Sequence, residues 1–90
     1  MAVAIFGDCV QLVPTLGKFD FIFADPPFNI GQDYDGYSDN RSDYEDWTTE
    51  WISACWNACD GVMALHGPDN VAELYLIAAR QLRMHRIAWI

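Results

Sequence analysis

Apolar positions fall in short blocks along this chain, and their spacing changes from one block to the next. Residues 2–6 are continuously apolar and end at Gly7-Asp8, which predicts a first strand. Asp8 is placed to cap a short helical turn over 9–13, and Pro14 stops it from lengthening. Phe19 to Ala24 is aromatic and β-branched, is bounded by proline, and predicts a buried parallel strand. Residues 29–40 carry few aliphatics and predict a loop of about a dozen residues, a length that usually serves function. At 44 the period becomes helical. Trp47, Trp51, Cys55 and Cys59 recur every fourth residue beside Tyr44, Ile52 and Trp56, giving one broad apolar face. Ser42-Asp43-Tyr44-Glu45 predicts a capping box at its start, and Asp60-Gly61 a C-cap at its end. A short buried strand over 62–65 follows. A second box-like start at Asn70-Val71-Ala72-Glu73 opens a helix to about Met84, with Leu74, Ile77, Ala78 and Leu82 inward and Arg80 and Arg83 near its C-terminal dipole. Residues 86–90 predict a further strand.

The order is β, short helix, β, long loop, α, β, α, β. Such alternation implies an α/β fold with a mostly parallel sheet and flanking helices. Ninety residues hold one domain at most. The last strand is cut through its middle, so the expectation is a truncated piece of a larger domain. No apolar run approaches the roughly 18 residues of a membrane span, and the N-terminus lacks the basic flank of a signal peptide. Three cysteines, Cys9, Cys55 and Cys59, form no CxxC pair. Their odd number and the missing signal suit free thiols in a reducing cytoplasm. Cys55 and Cys59 are expected to pack, and neither His66 nor His85 completes a metal-ligand spacing. The net charge of −8 is the wrong sign for gripping phosphates, so a nucleic-acid partner would need basic surface from elsewhere.

The chemistry concentrates where the Phe19–Ala24 strand ends. Asp25 falls at its carboxyl end, where open α/β sheets place their ligands. Pro26 and Pro27 remove two N–H donors and fix a corner that presents one carboxylate, bare carbonyls and the ring of Phe28. Such a corner suits a planar amino group. The Asp25 carboxylate and the Pro26 carbonyl can accept both protons of an exocyclic amine, and Phe28 can stack on the base. Accepting both protons turns the nitrogen lone pair toward an electrophile, and Asp25 stabilises the positive charge that develops. A base buried in a duplex must flip out to reach the pocket.

Asp25-Pro26-Pro27-Phe28 resembles the catalytic motif of the amino-methyltransferases, which modify adenine N6, cytosine N4 or guanine N2. The run Gly7-Asp8-Cys9, the strand, Asp25 through Gly31, a tyrosine-bearing loop and Tyr44-x-x-Trp47-x-x-x-Trp51 is similar to the N-terminal part of the β-class DNA amino-methyltransferases. The resemblance covers essentially the whole chain. It implies a partial Rossmann-like methyltransferase fold, with residues 1–90 as its catalytic-motif part, and S-adenosylmethionine as methyl donor. It implies that Asp25, Pro26, Pro27 and Phe28 orient the target amine, with Asp in the first position more like adenine-N6 than cytosine-N4 enzymes. It implies that Asp8 and Cys9 lie against the cofactor's adenine, with Asp25 nearby, and that Asn29, Tyr34 and Tyr37 belong to a flap over the substrate. DNA is the implied partner, held through downstream regions. The 90 residues contain no FxGxG-like glycine motif and no target-recognition segment, so the chain alone is expected to be inactive.

Plainer readings stand beside these. Asp8 is also a helix cap, Phe28 also a core aromatic, and the tryptophan face a core. His66 ends a strand on the edge that carries Asp25, and either lines the site or is a solvated loop histidine. Two other functions compete. One is an RNA guanine-N2 methyltransferase, which would carry its cofactor motif before Asp25, where no glycine fingerprint occurs. The other is a non-catalytic remnant that binds a partner through its open sheet edge.

Overall fold

A single parallel ladder sets the arrangement of the chain. In the computed structural model, which describes residues 3–26 and 42–84 together with the backbone of 33–34 and 37–38, strand β1 (Phe19–Ala24) pairs with β4 (Cys59–Leu65). Before β1 come helix α1 (Cys9–Leu12) and a 3₁₀ turn (Val13–Thr15); the Asp8 carboxylate caps α1 by accepting from the Val10 N–H at 3.0 Å. Between β1 and β4 lie a two-residue hairpin, β2 (Asp33–Tyr34) and β3 (Tyr37–Ser38), and helix α2 (Tyr44–Asn57). Helix α3 (Asp69–Gln81) follows β4. The α/β class and the parallel pairing are as expected. The loop 29–40 contains a hairpin that its polar composition did not announce.

The ladder is not uniform. Phe19 pairs with Cys59 and Phe21 with Val62, so β4 carries one extra residue across that step. Gly61 lies in this bulge. A Cβ there would sit 2.0 Å from the Asp20 carbonyl oxygen, so only glycine permits the close strand approach. The expected role of Gly61 as a helix C-cap is therefore corrected. Helix α2 ends three residues earlier than Asp60, with Ala58 as C-cap, and Cys59 belongs to the strand. The Lys18 ammonium donates to the Asn57 carbonyl, and the Phe19 N–H to that of Ala58 at 2.8 Å. These contacts tie the end of α2 to the start of β1.

The core lies on one face of the ladder. Ile22 and Ala24 of β1 and Met63 and Leu65 of β4 pack against a buried cluster from α2 and α3. That cluster is Tyr44, Trp51, Ile52 and Cys55 with Val71, Tyr75 and Ala78. Trp47 lies tilted between Tyr44 and Trp51, with ring centroids 5.6 and 6.3 Å away, and Trp51 meets Tyr75 edge-on at 5.8 Å. Burial raises the Cys55 thiol above its ordinary range, with Cys9 and Cys59 adding to the effect. It packs as an uncharged thiol, as expected.

Several expectations are corrected by this layering. Residues 3–6 adopt no regular structure, and Val3, Ile5 and Phe6 are exposed. Apolar composition proposes a strand, but only a ladder partner makes one. The Phe19–Ala24 strand is not buried, because helices cover one face alone. On the other, Phe21 is 60% and Phe23 62% exposed. Neither predicted capping box forms. Helix α2 starts from Asp43 and α3 from Pro68, and neither residue caps through its side chain. Asp69 instead opens α3 and meets the dipole there, as Glu45 and Asp46 do in α2. The inward face of α3 is Val71, Tyr75 and Ala78, with Leu74 and Leu82 partly buried and Ile77 exposed. The expected strand over 86–90 lies outside the described residues.

Two core positions give measurable consequences. Gly61→Ala should destabilise the chain by about 1–3 kcal/mol, the usual cost of overpacking, read as a lower urea midpoint. Thr48 is fully buried, and its hydroxyl has no hydrogen-bond partner among the described residues. Thr48→Val, which removes that orphaned group at similar volume, should stabilise the chain by about 1 kcal/mol, read as a higher urea midpoint; a lower midpoint would contradict the burial of an unpaired hydroxyl.

Candidate active site

The β1–β4 ladder brings together two side chains 41 residues apart. Its last residue pair is Ala24 and Leu65, and the His66 N–H extends it by donating to the Ala24 carbonyl at 3.0 Å. Asp25 and His66 are thereby neighbours at the carboxyl edge of the sheet. Their side chains meet, with His66 Nδ1 3.0 Å from Asp25 Oδ1. An ionised carboxylate only accepts, so this bond requires the proton on Nδ1. Both remain open to solvent, with the His66 side chain 62% and that of Asp25 56% exposed. An exposed pair contributes only about 0–1 kcal/mol to stability.

Helix α3 supports the edge from the core side. The Tyr75 hydroxyl donates to the His66 carbonyl at 2.9 Å. Burial, with electrostatic interaction with Tyr44 and Asp25 adding to it, pushes the Tyr75 phenol well above its ordinary range. It therefore stays a hydroxyl and a donor at any physiological pH. A Cβ on Gly67 would come within 3.1 Å of the Tyr75 ring and hydroxyl, so the small residue after His66 lets the ring close against the backbone.

The sequence-predicted residues are distributed unevenly over this edge. Asp25 stands at the strand end, as expected, and Pro26 follows it half-buried. Pro27, Phe28 and Asn29 lie outside the described residues. The backbones of Tyr34 and Tyr37 are cross-strand partners in the hairpin. Asp8 caps α1 and is exposed. Cys9 is solvent-accessible. Partial burial and the adjacent Asp8 carboxylate, with Glu50 of α2 adding a little, raise its thiol above the ordinary range, so it is a poor nucleophile. His66, weighed as a site residue or a solvated loop histidine, is exposed and also bonded to Asp25. Tyr75 was missed. Its signal was present, since it follows Val71 by four residues and precedes Ala78 by three, but the neighbouring Leu74 and Ile77 suggested a face rotated by one position. Among the described residues, no group of three or more His, Cys, Asp or Glu could hold a metal, and no helix is long and apolar enough to cross a membrane.

Comparison with known proteins adds to this geometry. The profile of the DNA methylase family, which covers N6 and N4 enzymes, matches residues 19–90. The chain is 44% identical over 54 residues to the type II methyltransferase M.BamHI of Bacillus amyloliquefaciens, covering 54% of the chain and 13% of that relative. It is 29% identical over 78 residues to the type II methyltransferase M.HpaI of Haemophilus parainfluenzae, covering 81% of the chain and 25% of that relative. The chain thus spans a quarter or less of the length of these curated relatives. No solved structure matches it. The profile match takes in β1, the Asp25–His66 edge and both long helices, and the chain belongs to the N6/N4 DNA methylase family.

Proposed function

We propose that this chain is the catalytic-motif part of a DNA amino-methyltransferase, with adenine N6 favoured over cytosine N4 as the methyl acceptor. The observation that carries the reading is an exposed carboxylate, Asp25, held at the carboxyl end of a parallel strand and followed by Pro-Pro-Phe. Membership of the N6/N4 family supports it. The β1–α2–β4–α3 run is read as a portion of a Rossmann-like sheet.

S-adenosylmethionine, when bound, supplies an electrophilic methyl group. Asp8 and Cys9 are solvent-accessible at the start of α1, as residues meeting a nucleoside must be, and they are assigned to its adenosyl end. Asp25 and the Pro26 carbonyl accept the two amine protons of a flipped base, and Phe28 stacks on its ring. Such a donor would give its methyl to the amine nitrogen as its sulfur–carbon bond breaks. The nitrogen becomes positive, Asp25 stabilises that charge, and one amine proton leaves to water. Asn29, Tyr34 and Tyr37 are assigned to the segment that covers the base. DNA phosphates are expected to be held by other parts of the enzyme, since this chain is strongly acidic.

The test uses the complete reading frame in which this segment is encoded, incubated with S-adenosylmethionine and unmethylated genomic DNA. Nucleoside mass spectrometry should find N6-methyladenine, and Asp25→Ala should lower the rate by about 10²–10³-fold, the cost of losing one preorganised stabiliser. Full activity in Asp25→Ala would refute the role of Asp25, and N4-methylcytosine as product would overturn the adenine assignment. The isolated 90-residue chain is expected to show no micromolar binding of S-adenosylmethionine by calorimetry.

A further inference from the structure

His66 is held more firmly than an exposed loop histidine requires. Its N–H donates to Ala24, its carbonyl accepts from the Tyr75 hydroxyl, and its Nδ1 bonds to Asp25. The first contact locks it to the strand that ends in Asp25, and the second locks it to the core helix. The aromatic anchor behind the second is itself buried and wedged against Gly67 and Trp51. The backbone of His66 is thus fixed at both its N–H and its carbonyl, and an exposed ion pair adds little to stability, so stability does not account for the third contact, from the imidazole to Asp25.

Orientation does account for it. The Asp25 carboxylate is more than half exposed, and an unrestrained aspartate rotates about two side-chain torsions. An amine placed for in-line attack needs an acceptor fixed to a fraction of an ångström. A hydrogen bond to Oδ1 from a rigidly mounted donor fixes the carboxylate plane and leaves Oδ2 for the incoming amine. We infer that His66 is the positioning residue of Asp25, setting the carboxylate's orientation through Nδ1–H without touching the base or the methyl donor. This role rests on the proposed methyl transfer, whereas the pairing itself can be tested without it.

Two measurements test the inference. In the complete reading frame, with unmethylated genomic DNA in excess, kcat and KM for S-adenosylmethionine are measured for His66→Ala and His66→Asn. His66→Ala should lower kcat by up to about 10²-fold, the scale of an ångström-sized misplacement, and leave KM unchanged. His66→Asn, whose side-chain amide offers an N–H close to the position of Nδ1, should recover most of kcat. Equal losses in both variants, or a loss appearing only in KM, would overturn the positioning role while leaving the proposed function standing. Absence of methyl transfer by the unmodified enzyme would overturn the function and this role together. The second measurement is ring-nitrogen NMR of the 90-residue chain at about pH 8, where an ordinary imidazole is neutral. The His66 ring should carry its proton on Nδ1, and Asp25→Ala should shift it toward Nε2. A ring protonated on Nε2 in the unmodified chain would sink the pairing whatever the activity.

Discussion

Everything at the candidate site depends on the parallel ladder between β1 and β4. Parallel strands cannot be joined by a tight turn, so the chain must travel through α2 before the partner strand arrives. That crossover places α2 against the sheet, and its end is fastened to the start of β1 through Lys18 and Phe19. The ladder tolerates no Cβ at Gly61, where an extra residue in β4 brings backbone against backbone. One glycine thus governs the register by which Asp25 and His66 become neighbours five positions farther along.

The two faces of this ladder differ in kind. One is sealed by α2 and α3 and by an aromatic series running from Tyr44 through Trp47 and Trp51 to Tyr75. Tyr75 ends that series with a hydroxyl aimed at the His66 carbonyl, so the apolar core reaches the polar edge through one residue that serves both. The other face keeps Phe21, Phe23 and Val62 in contact with solvent. Among the described residues, the polar edge is braced from the core side.

The two long helices were legible from their period and β1 from its apolar, proline-bounded run, whereas β4 was legible only over 62–65, its first three residues having the look of a helix end. What misled was local chemistry. Two capping-box patterns failed because the chain enters each helix from a different residue, one of them a proline. Gly61 looked like a helix stop because glycine suits a left-handed cap and a close strand approach equally well, and only the register separates the two. The strand over 2–6 failed for a related reason, since apolar composition cannot supply a ladder partner. Asp25 was legible from its place before two prolines. The His66 bond was not, since it joins distant residues through a pairing register that no local pattern encodes, and Tyr75 was obscured by an apolar neighbour on each side of the true face.

The sequence distance across the Asp25–His66 contact has a consequence for how the site comes into being. Strand pairing of high contact order forms late, after the intervening helix has closed the loop. The site is therefore not a local motif that can preorganise ahead of the rest. It exists only in the molecules whose ladder is fully zipped, and its lifetime is that of the cooperative unit to which the ladder belongs. The amide of His66, which makes the last rung with Ala24, is the reporter of that unit. Each opening that lets this amide exchange its hydrogen with water also separates the histidine from the aspartate, so the exchange rate of one backbone proton measures how often the candidate site is dismantled.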